Sequence, residues 1–303
     1  MTVAMNHSMA EIKISAISQI WQSQCNGTAS SDRDGIGERV TEAVDELLTK
    51  IANGVVAGTT NPWIAINTLQ SRALNPTFEM TSNSIRVGVF PLAANPIHWG
   101  HIITCLFGVH EFSLDTMVLL PAGKIDYKPV NREDTVPEGD RHEMVRRAVR
   151  PLEPLLRYTD VACGTAEPGD AAFHRLRKLN PDRPIEFVLV WGVESSQRVR
   201  RIVEQAAKSL LNQHDLDRAG DQTVSFAFLK RDGCPEEDLL TESLLSEICV
   251  TTGLSVPCRL KTIELQILSR MDSTRYRTNL DPAMVPACVH DYVIKRGFYP
   301  RER

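Results

Sequence analysis

Short apolar runs that alternate with helical segments constrain the fold of this chain from residue 84 onward. Each run has the length and the β-branched or aromatic content of a buried strand, and polar turns follow it. Such alternation is typical of an α/β fold with a mainly parallel sheet, whose ligands bind at the carboxyl ends of the strands. The predicted strands cover residues 85–90, 116–120, 185–190 and 224–229, with a fifth within 259–268.

Helical spacing of apolar residues marks the segments between these strands. It predicts helices over residues 100–112, 141–156 and 197–211. Strands and helices in this order predict a Rossmann-like open parallel sheet, flanked by helices, over residues 84–303.

Residues 1–83 have a different pattern and are predicted to form a mostly helical extension or small domain. Helices are expected over residues 11–22 and 38–51, with Gly54 as the C-terminal stop of the second. Residues 74–84 are polar and contain proline, which suits a linker. This extension is open to three interpretations, namely a helical interaction module, a regulatory cap or an oligomer contact.

Composition limits the class of protein. The hydrophobic content of 42% and the net charge of −4 suit a globular chain and give no reason to expect nucleic-acid or membrane partners. The seven cysteines form no Cys-x-x-Cys pair, and the histidines show no metal-ligand spacing, so no metal site is predicted. No secretory signal or membrane span is recognised, and a cytoplasmic location is expected.

Two histidines three residues apart, His98 and His101, follow the first predicted strand at the start of a helix. This spacing puts both rings on one helical face, where the free N–H groups of the helix N-terminus favour phosphate. Gly100 between them allows close approach of a ligand to the backbone. The pair alone could also be an ordinary helix start, but the order of strand, Asn95-Pro96 turn, histidines and apolar helix favours a phosphate site.

Residues 85–102 resemble the first signature of the adenylyl- and cytidylyltransferase superfamily, and they look most like the bacterial nicotinate-nucleotide adenylyltransferases. That family has the run Gly-Gly-Thr-Phe-Asp-Pro-Ile-His-x-Gly-His, and its end matches this chain closely. The paired glycines are replaced by Pro91 and Leu92, and the Asp by Asn95. Because Pro91 has no N–H group, this turn offers fewer backbone contacts to phosphate.

Residues 272–277 resemble the family's second signature, Ser-Ser-Thr-x-x-Arg, and lie about 170 residues after the first. Ser273, Thr274 and Arg277 match it, whereas Asp272 replaces the first Ser. Asp-Ser-Thr is also an ordinary helix N-cap, so the local sequence alone leaves both interpretations open.

Other segments follow the family's order, so the resemblance extends from Ser84 to Tyr299. They are the strand end and Pro-Lys loop at 119–129, the Asp-Arg helix at 140–148, the strand at 187–194, where Glu194 replaces the Asp of the family's Gly-x-Asp, the strand with a basic end at 229–233, and the C-terminal helix with an aromatic ending at 285–299.

The resemblance implies adenylyl transfer from ATP to nicotinate or nicotinamide mononucleotide, which forms a dinucleotide and releases pyrophosphate. ATP is the co-substrate, and Mg²⁺ is expected with it. The resemblance gives catalytic roles to His98, His101 and Arg277. It places ATP and phosphate contacts at Asn95, Gly100, Ser273, Thr274, Arg275 and Arg231, and a substrate or adenosine pocket at Val89, Phe90, Gly192, Glu194, Lys128 and Trp99.

Two alternatives stay open from the sequence. One is another nucleotidylyl transfer, of the pantetheine-phosphate or cytidylyl type, because residues 195–205 lack the aromatic residue expected in a substrate-ring pocket. The other is a nucleotide-binding protein that no longer catalyses, because Asn95, Asp272 and Glu194 depart from the family pattern. The oligomeric state is also open, a homo-oligomer included.

Overall fold

A computed structural model describes most of the chain from residue 35 onward, and all structural statements concern the residues that it describes. These are residues 19, 35–64, 66, 68, 85–124, 136–165, 169–180, 184–193, 195–211, 222–231, 240–254 and 256–299.

A single sheet of six parallel strands forms the centre of the fold, in the order β3-β2-β1-β4-β5-β6. This confirms the predicted Rossmann-like open parallel sheet. The strand order changes direction between β1 and β4, and parallel sheets bind ligands in the crevice at such a switch point. The strands are β1 (Ile85–Leu92), β2 (Thr116–Pro121), β3 (Leu156–Tyr158), β4 (Ile185–Val193), β5 (Thr223–Arg231) and β6 (Cys258–Ile263).

Eight α-helices accompany the sheet in the part of the chain that the structure describes. They are α1 (Ile36–Val56), α2 (Trp99–Glu111), α3 (Glu138–Val149), α4 (Gly169–Lys178), α5 (Ser196–Leu211), α6 (Glu242–Thr252), α7 (Ser273–Asn279) and α8 (Ala287–Arg296). None of the described helices is long and apolar enough to cross a membrane.

Both faces of the sheet are covered by apolar residues, and each face has its own core. Side chains alternate along β1, so that Val87 and Val89 face α4, α5 and α6, whereas Phe90 and Leu92 face α2, α3 and α8. A strand that is buried on both faces needs a continuous apolar sequence, which explains the apolar runs of the sequence.

The long helix α1 packs in the same core as α2. It buries an apolar face that includes Val40, Val44, Leu47 and Ile51, close to the face predicted from the sequence. The helix continues through Gly54, the predicted stop, to Val56. The division of the chain into domains at residues 83 and 84 stays a prediction, and the predicted linker lies outside the described residues, as does the predicted first helix apart from Gln19.

One predicted helix is wrong in its second half. The helix expected over residues 141–156 ends at Val149, a 3₁₀ turn covers Arg150–Leu152, and β3 begins at Leu156. Prolines explain the difference, because Pro151 sits in the 3₁₀ turn and Pro154 restricts the residue before it to extended backbone. The fifth predicted strand is shorter than its window, Cys258–Ile263, and a separate 3₁₀ helix follows it.

Candidate active site

The turn that precedes the histidine pair begins after Leu92, so the two positions where the family pattern has glycines belong to β1. Pro91 and Leu92 continue β1 and pair with Leu120 and Pro121 of β2, although the pairing with β4 ends at Val89. The chain turns only after these residues, and Ala94 adopts a φ of 54°. A left-handed conformation costs a non-glycine residue about 1–2 kcal/mol, so surrounding contacts must hold this turn in place.

His98 and His101 contact each other at the N-terminus of α2. The N–H of His98 donates to Nδ1 of His101 at 3.3 Å, and the N–H of His101 donates to the carbonyl of His98 at 3.0 Å. The two ring centroids are 3.8 Å apart. Because Nδ1 of His101 is an acceptor here, its neutral ring carries the proton on Nε2, where it can be donated to a ligand.

Gly100 permits the close contact between the first motif, residues 85–102, and the second motif, residues 272–277. A Cβ atom at this position would lie 2.9 Å from the His98 ring and 3.0 Å from Cβ of Met271, the residue that precedes the second motif. Any side chain at residue 100 would therefore push the histidine pair and the second motif apart. This is the packing reason for a glycine at the start of an otherwise apolar helix.

The second motif is bonded directly to the turn of the first. Ser273 Oγ donates to the carbonyl of Pro96 at 3.1 Å, and Arg277 Nη1 donates to the carbonyl of Asn95 at 2.7 Å. Arg277 Nη2 also donates to Thr274 Oγ1 at 3.0 Å. The fold thus brings together two hydroxyls, a guanidinium and two imidazoles that are about 170 residues apart in the chain.

Asp272, which replaces a Ser of the family pattern, is the N-cap of α7. Its Oδ1 accepts the N–H of Arg275 at 2.7 Å, as in an ordinary N-cap. The carboxylate therefore already has a partner at the helix N-terminus. Arg275 itself is half-buried beside it, and a phosphate contact by Arg275 stays a prediction.

Asn95 connects three parts of the chain. Its buried Oδ1 accepts the hydroxyl of Tyr299 at 2.8 Å and the N–H of Val136 at 3.3 Å, while its carbonyl accepts Arg277. These bonds hold the turn in place, and a direct phosphate contact by Asn95 stays a prediction.

Arg141 is a positioning residue that the sequence argument did not single out. Its side chain is buried, and it donates to the carbonyls of Ala93 at 2.7 Å, Ala122 at 3.0 Å and Gly123. One guanidinium thus joins the segments that follow β1 and β2. The only sequence signal was the match of residues 140–148 to the family's Asp-Arg helix.

The residues expected in a substrate or adenosine pocket differ in their location: some are buried in the cores, and one lies beside the His101 ring. Val89 and Trp99 are buried in the two cores, whereas the Phe90 ring lies edge-on to the His101 ring at 6.2 Å. Gly192 is buried in β4, opposite Leu229 of β5. Their role in a pocket stays a prediction. Three predicted contacts, Glu194, Lys128 and the side chain of Arg231, lie outside the described residues.

Comparison with known proteins finds the family in the sequence and a similar fold among solved structures. Residues 89–277, which span both motifs, match the family model described as cytidylyltransferase-like. A probable nicotinate-nucleotide adenylyltransferase of Desulfitobacterium hafniense (strain Y51) is 40% identical over 65 residues, or 22% of this chain and 30% of that protein. The corresponding protein of Opitutus terrae is 29% identical over 154 residues, covering 50% of this chain and 70% of its own length.

Two solved structures of a Plasmodium falciparum nicotinic acid mononucleotide adenylyltransferase have a similar fold. The complex with NaAD has a TM-score of 0.51 and the complex with APC one of 0.50. Both are 15% identical in sequence, and each match covers 71% of this chain and 97% of the other. At this identity, the similarity establishes the fold.

Proposed function

The chain belongs to the cytidylyltransferase-like family, and from this premise we propose that it transfers the adenylyl group of ATP to nicotinate mononucleotide. Nicotinamide mononucleotide is the alternative acceptor. The names of the curated relatives and the ligands of the two Plasmodium structures support this choice. The observation that carries it is the direct bonding of the second motif to the turn before His98.

The proposed reaction needs no covalent intermediate with the protein. A phosphate oxygen of the mononucleotide attacks the α-phosphorus of ATP, and the bond from this phosphorus to the bridging oxygen of the β-phosphate breaks. Pyrophosphate leaves with the electron pair, and a dinucleotide forms. The protein therefore acts by orienting both substrates and by stabilising the charge that develops on the α-phosphoryl oxygens.

His98 and His101 are the proposed donors to the α-phosphoryl group. The bond from the N–H of His98 to His101 Nδ1 and the contact of the two rings orient both side chains before a substrate arrives, which lowers the cost of reorganisation during the reaction. Because Nδ1 of His101 accepts a backbone N–H, the neutral ring carries its proton on Nε2, the atom proposed to donate to the α-phosphoryl group.

Ser273, Thr274 and Arg277 are the proposed contacts of the leaving pyrophosphate. Arg277 uses two of its N–H groups on Asn95 and Thr274, so its guanidinium is held in one orientation with further donors for phosphate oxygens.

Magnesium is proposed to arrive with ATP. The described residues at the two motifs supply imidazole nitrogens, hydroxyls and a guanidinium, and their one carboxylate, Asp272, caps α7. This donor set does not form an oxygen cage, and Mg²⁺ commonly keeps several waters and binds through substrate phosphates. The proposal therefore gives the ion to the phosphates of ATP. A cytoplasmic location and a homo-oligomeric state stay predictions.

Pyrophosphate release tests the proposed function. Purified protein is incubated with ATP or CTP and, in turn, with nicotinate mononucleotide, nicotinamide mononucleotide or pantetheine phosphate, and the dinucleotide product is identified by mass. ATP with nicotinate mononucleotide is expected to give the fastest release. Faster release with CTP or with pantetheine phosphate would assign another reaction of the family. Nucleotide binding without release would favour the non-catalytic alternative.

The histidine pair is tested by His101→Ala, with His110→Ala as the matched control in the last turn of the same helix. Removal of one preorganised donor is expected to lower kcat by about 10²–10³-fold. His110→Ala should retain wild-type turnover. Full turnover by a folded His101→Ala variant, with folding checked by thermal unfolding, would exclude His101 from the reaction.

A further inference from the structure

Three residues outside the candidate active site bring metal-ligand atoms together. Glu138 and His142 lie four residues apart on one face of α3, and Cys163 follows β3. One ligand atom from each of the three lies within 4.8 Å of the others. Sequence spacing had predicted no metal site, because Cys163 is joined to α3 only through the fold.

His142 provides the independent observation. Its side chain is buried, with 3% of the residue exposed, and Nδ1 lies 2.8 Å from the hydroxyl of Tyr158. Nε2 is buried and has no hydrogen-bond partner among the described residues. When Nδ1–H donates to Tyr158, the lone pair of Nε2 is free for a metal ion, which is the usual arrangement of a histidine ligand and its supporting acceptor.

Metal binding by Cys163 requires its thiolate, so the thiol proton is released to solvent as the bond from sulfur to the metal forms.

The surroundings of the cluster are rigidly built. Glu138 Oε1 accepts the N–H of Gly164, which orients the carboxylate next to Cys163. Lys124 N donates to the carbonyl of Thr165 at 2.9 Å, so the segment after β2 packs against the cysteine loop. A side chain at Gly123 would collide with that loop.

We propose that Glu138, His142 and Cys163 form a zinc site that fastens α3 to the loop after β3. One nitrogen, one sulfur and one oxygen ligand suit Zn²⁺ in tetrahedral coordination, with water in the fourth position, whereas Mg²⁺ prefers oxygen ligands alone. The site differs from the proposed ATP site in residues and in ligand chemistry. It lies next to Arg141, which precedes His142 on the same helix and donates to the carbonyls that follow β1 and β2.

Cobalt binding to the full chain tests the proposal. The protein is treated with a chelator and titrated with Co²⁺ under reducing conditions, and the thiolate-to-cobalt charge-transfer band is followed. We expect one ion per chain, displacement of Co²⁺ by Zn²⁺, and release of about one proton per ion at pH 7. Absence of the band at saturating cobalt would overturn the proposal.

Variants assign the band to the three ligands. Cys163→Ser is the main variant, because Cys163 is exposed and its replacement leaves the core intact. It should abolish the band and weaken Zn²⁺ binding by at least about tenfold. The matched control is the double variant Cys249→Ser and Cys258→Ser, whose sulfurs lie 3.2 Å apart and form a second close group of thiols in the described part of the chain.

The Cys249→Ser and Cys258→Ser double variant should keep the charge-transfer band unchanged. His142→Gln should weaken the band, even if this variant is also less stable. A band that survives in Cys163→Ser, or disappears in the double variant alone, would refute the site. The Ala122 carbonyl also faces the ring of His142, but not in hydrogen-bonding geometry with Nε2.

Discussion

Removal of one hydroxyl group, in Tyr299→Phe, tests whether the C-terminal tyrosine positions the turn before the histidine pair. Tyr299 is buried, and its hydroxyl donates to Asn95 Oδ1 at 2.8 Å. Its backbone has a φ of 56°, a left-handed conformation that costs a non-glycine residue about 1–2 kcal/mol. The hydroxyl and the packing of the ring must therefore hold this residue in a strained conformation.

The expected magnitude follows from the bonds that each variant keeps. Phe preserves the packing of the ring, and Asn95 keeps its second donor, the N–H of Val136. The loss is then close to one net hydrogen bond, about 1 kcal/mol of unfolding free energy. Asn95→Ala instead leaves two buried donors without their acceptor, which should cost about 2–5 kcal/mol together.

Denaturant unfolding measures the change in unfolding free energy, and the KM for ATP measures the effect of the substitution on the proposed ATP site. A turn that is held about 1 kcal/mol less firmly should raise the KM by up to about fivefold. Tyr292→Phe is the matched control, because its hydroxyl bonds to Asp140 of α3 at 2.6 Å and not to the turn. Equal KM values for Tyr299→Phe and wild type, or an equal rise in the control, would refute the reasoning.

Three further predictions concern buried charges. Arg141→Met leaves three carbonyls without their donor and should lower the unfolding free energy by about 3–5 kcal/mol. A loss of less than about 1 kcal/mol in denaturant unfolding would show that these bonds do not hold the two segments together. Arg157, whose pKa burial lowers to about 10, donates twice to the segment at residues 62–64. Arg157→Met should speed amide hydrogen exchange of that segment, and unchanged protection would show that the bonds are dispensable. Burial lowers the pKa of both His142 and His290 in the folded protein. Below about pH 6.5 the unfolded state therefore binds more protons than the folded state, and the unfolding free energy decreases as the pH falls. The decrease is at most about 1.4 kcal/mol per pH unit for each ring. His290→Gln should therefore lose less stability between pH 7 and about pH 5.5 than wild type, and an equal loss would contradict this assignment.

The parts of the fold that could be predicted from the sequence are those set by local periodicity. A strand buried on both faces has to be apolar throughout, so β1, β2, β4 and β5 were predicted within three residues of their observed bounds. The edge strand β3 was missed, because it has only three residues and its first, Leu156, was assigned to the end of the predicted helix. At so short a length, strand pairing with β2 decides the structure, and pairing is a tertiary contact.

The candidate site was predictable in its composition and not in its geometry. The histidine spacing and the second motif identified the chemical groups, because helix N-termini and phosphates impose local requirements. The bonds from Ser273 and Arg277 to the turn before His98 depend on packing across the whole chain. The same holds for the cluster of Glu138, His142 and Cys163, which a search by sequence spacing does not detect.

The replaced glycines of the first motif lead to a last prediction, that restoring the family's residues would harm this protein. Leu92 is 7% exposed in the core with α2, and Pro91 continues the pairing of β1 with β2. Leu92→Gly removes a buried side chain and adds backbone freedom, which should cost about 3–5 kcal/mol in denaturant unfolding. Because the turn begins after Leu92, the double variant Pro91→Gly and Leu92→Gly should also lose adenylyl transfer at a temperature where wild type is stable. A double variant that equals wild type in stability and exceeds it in turnover would show that the glycine turn, and not the extended strand, is what this site requires.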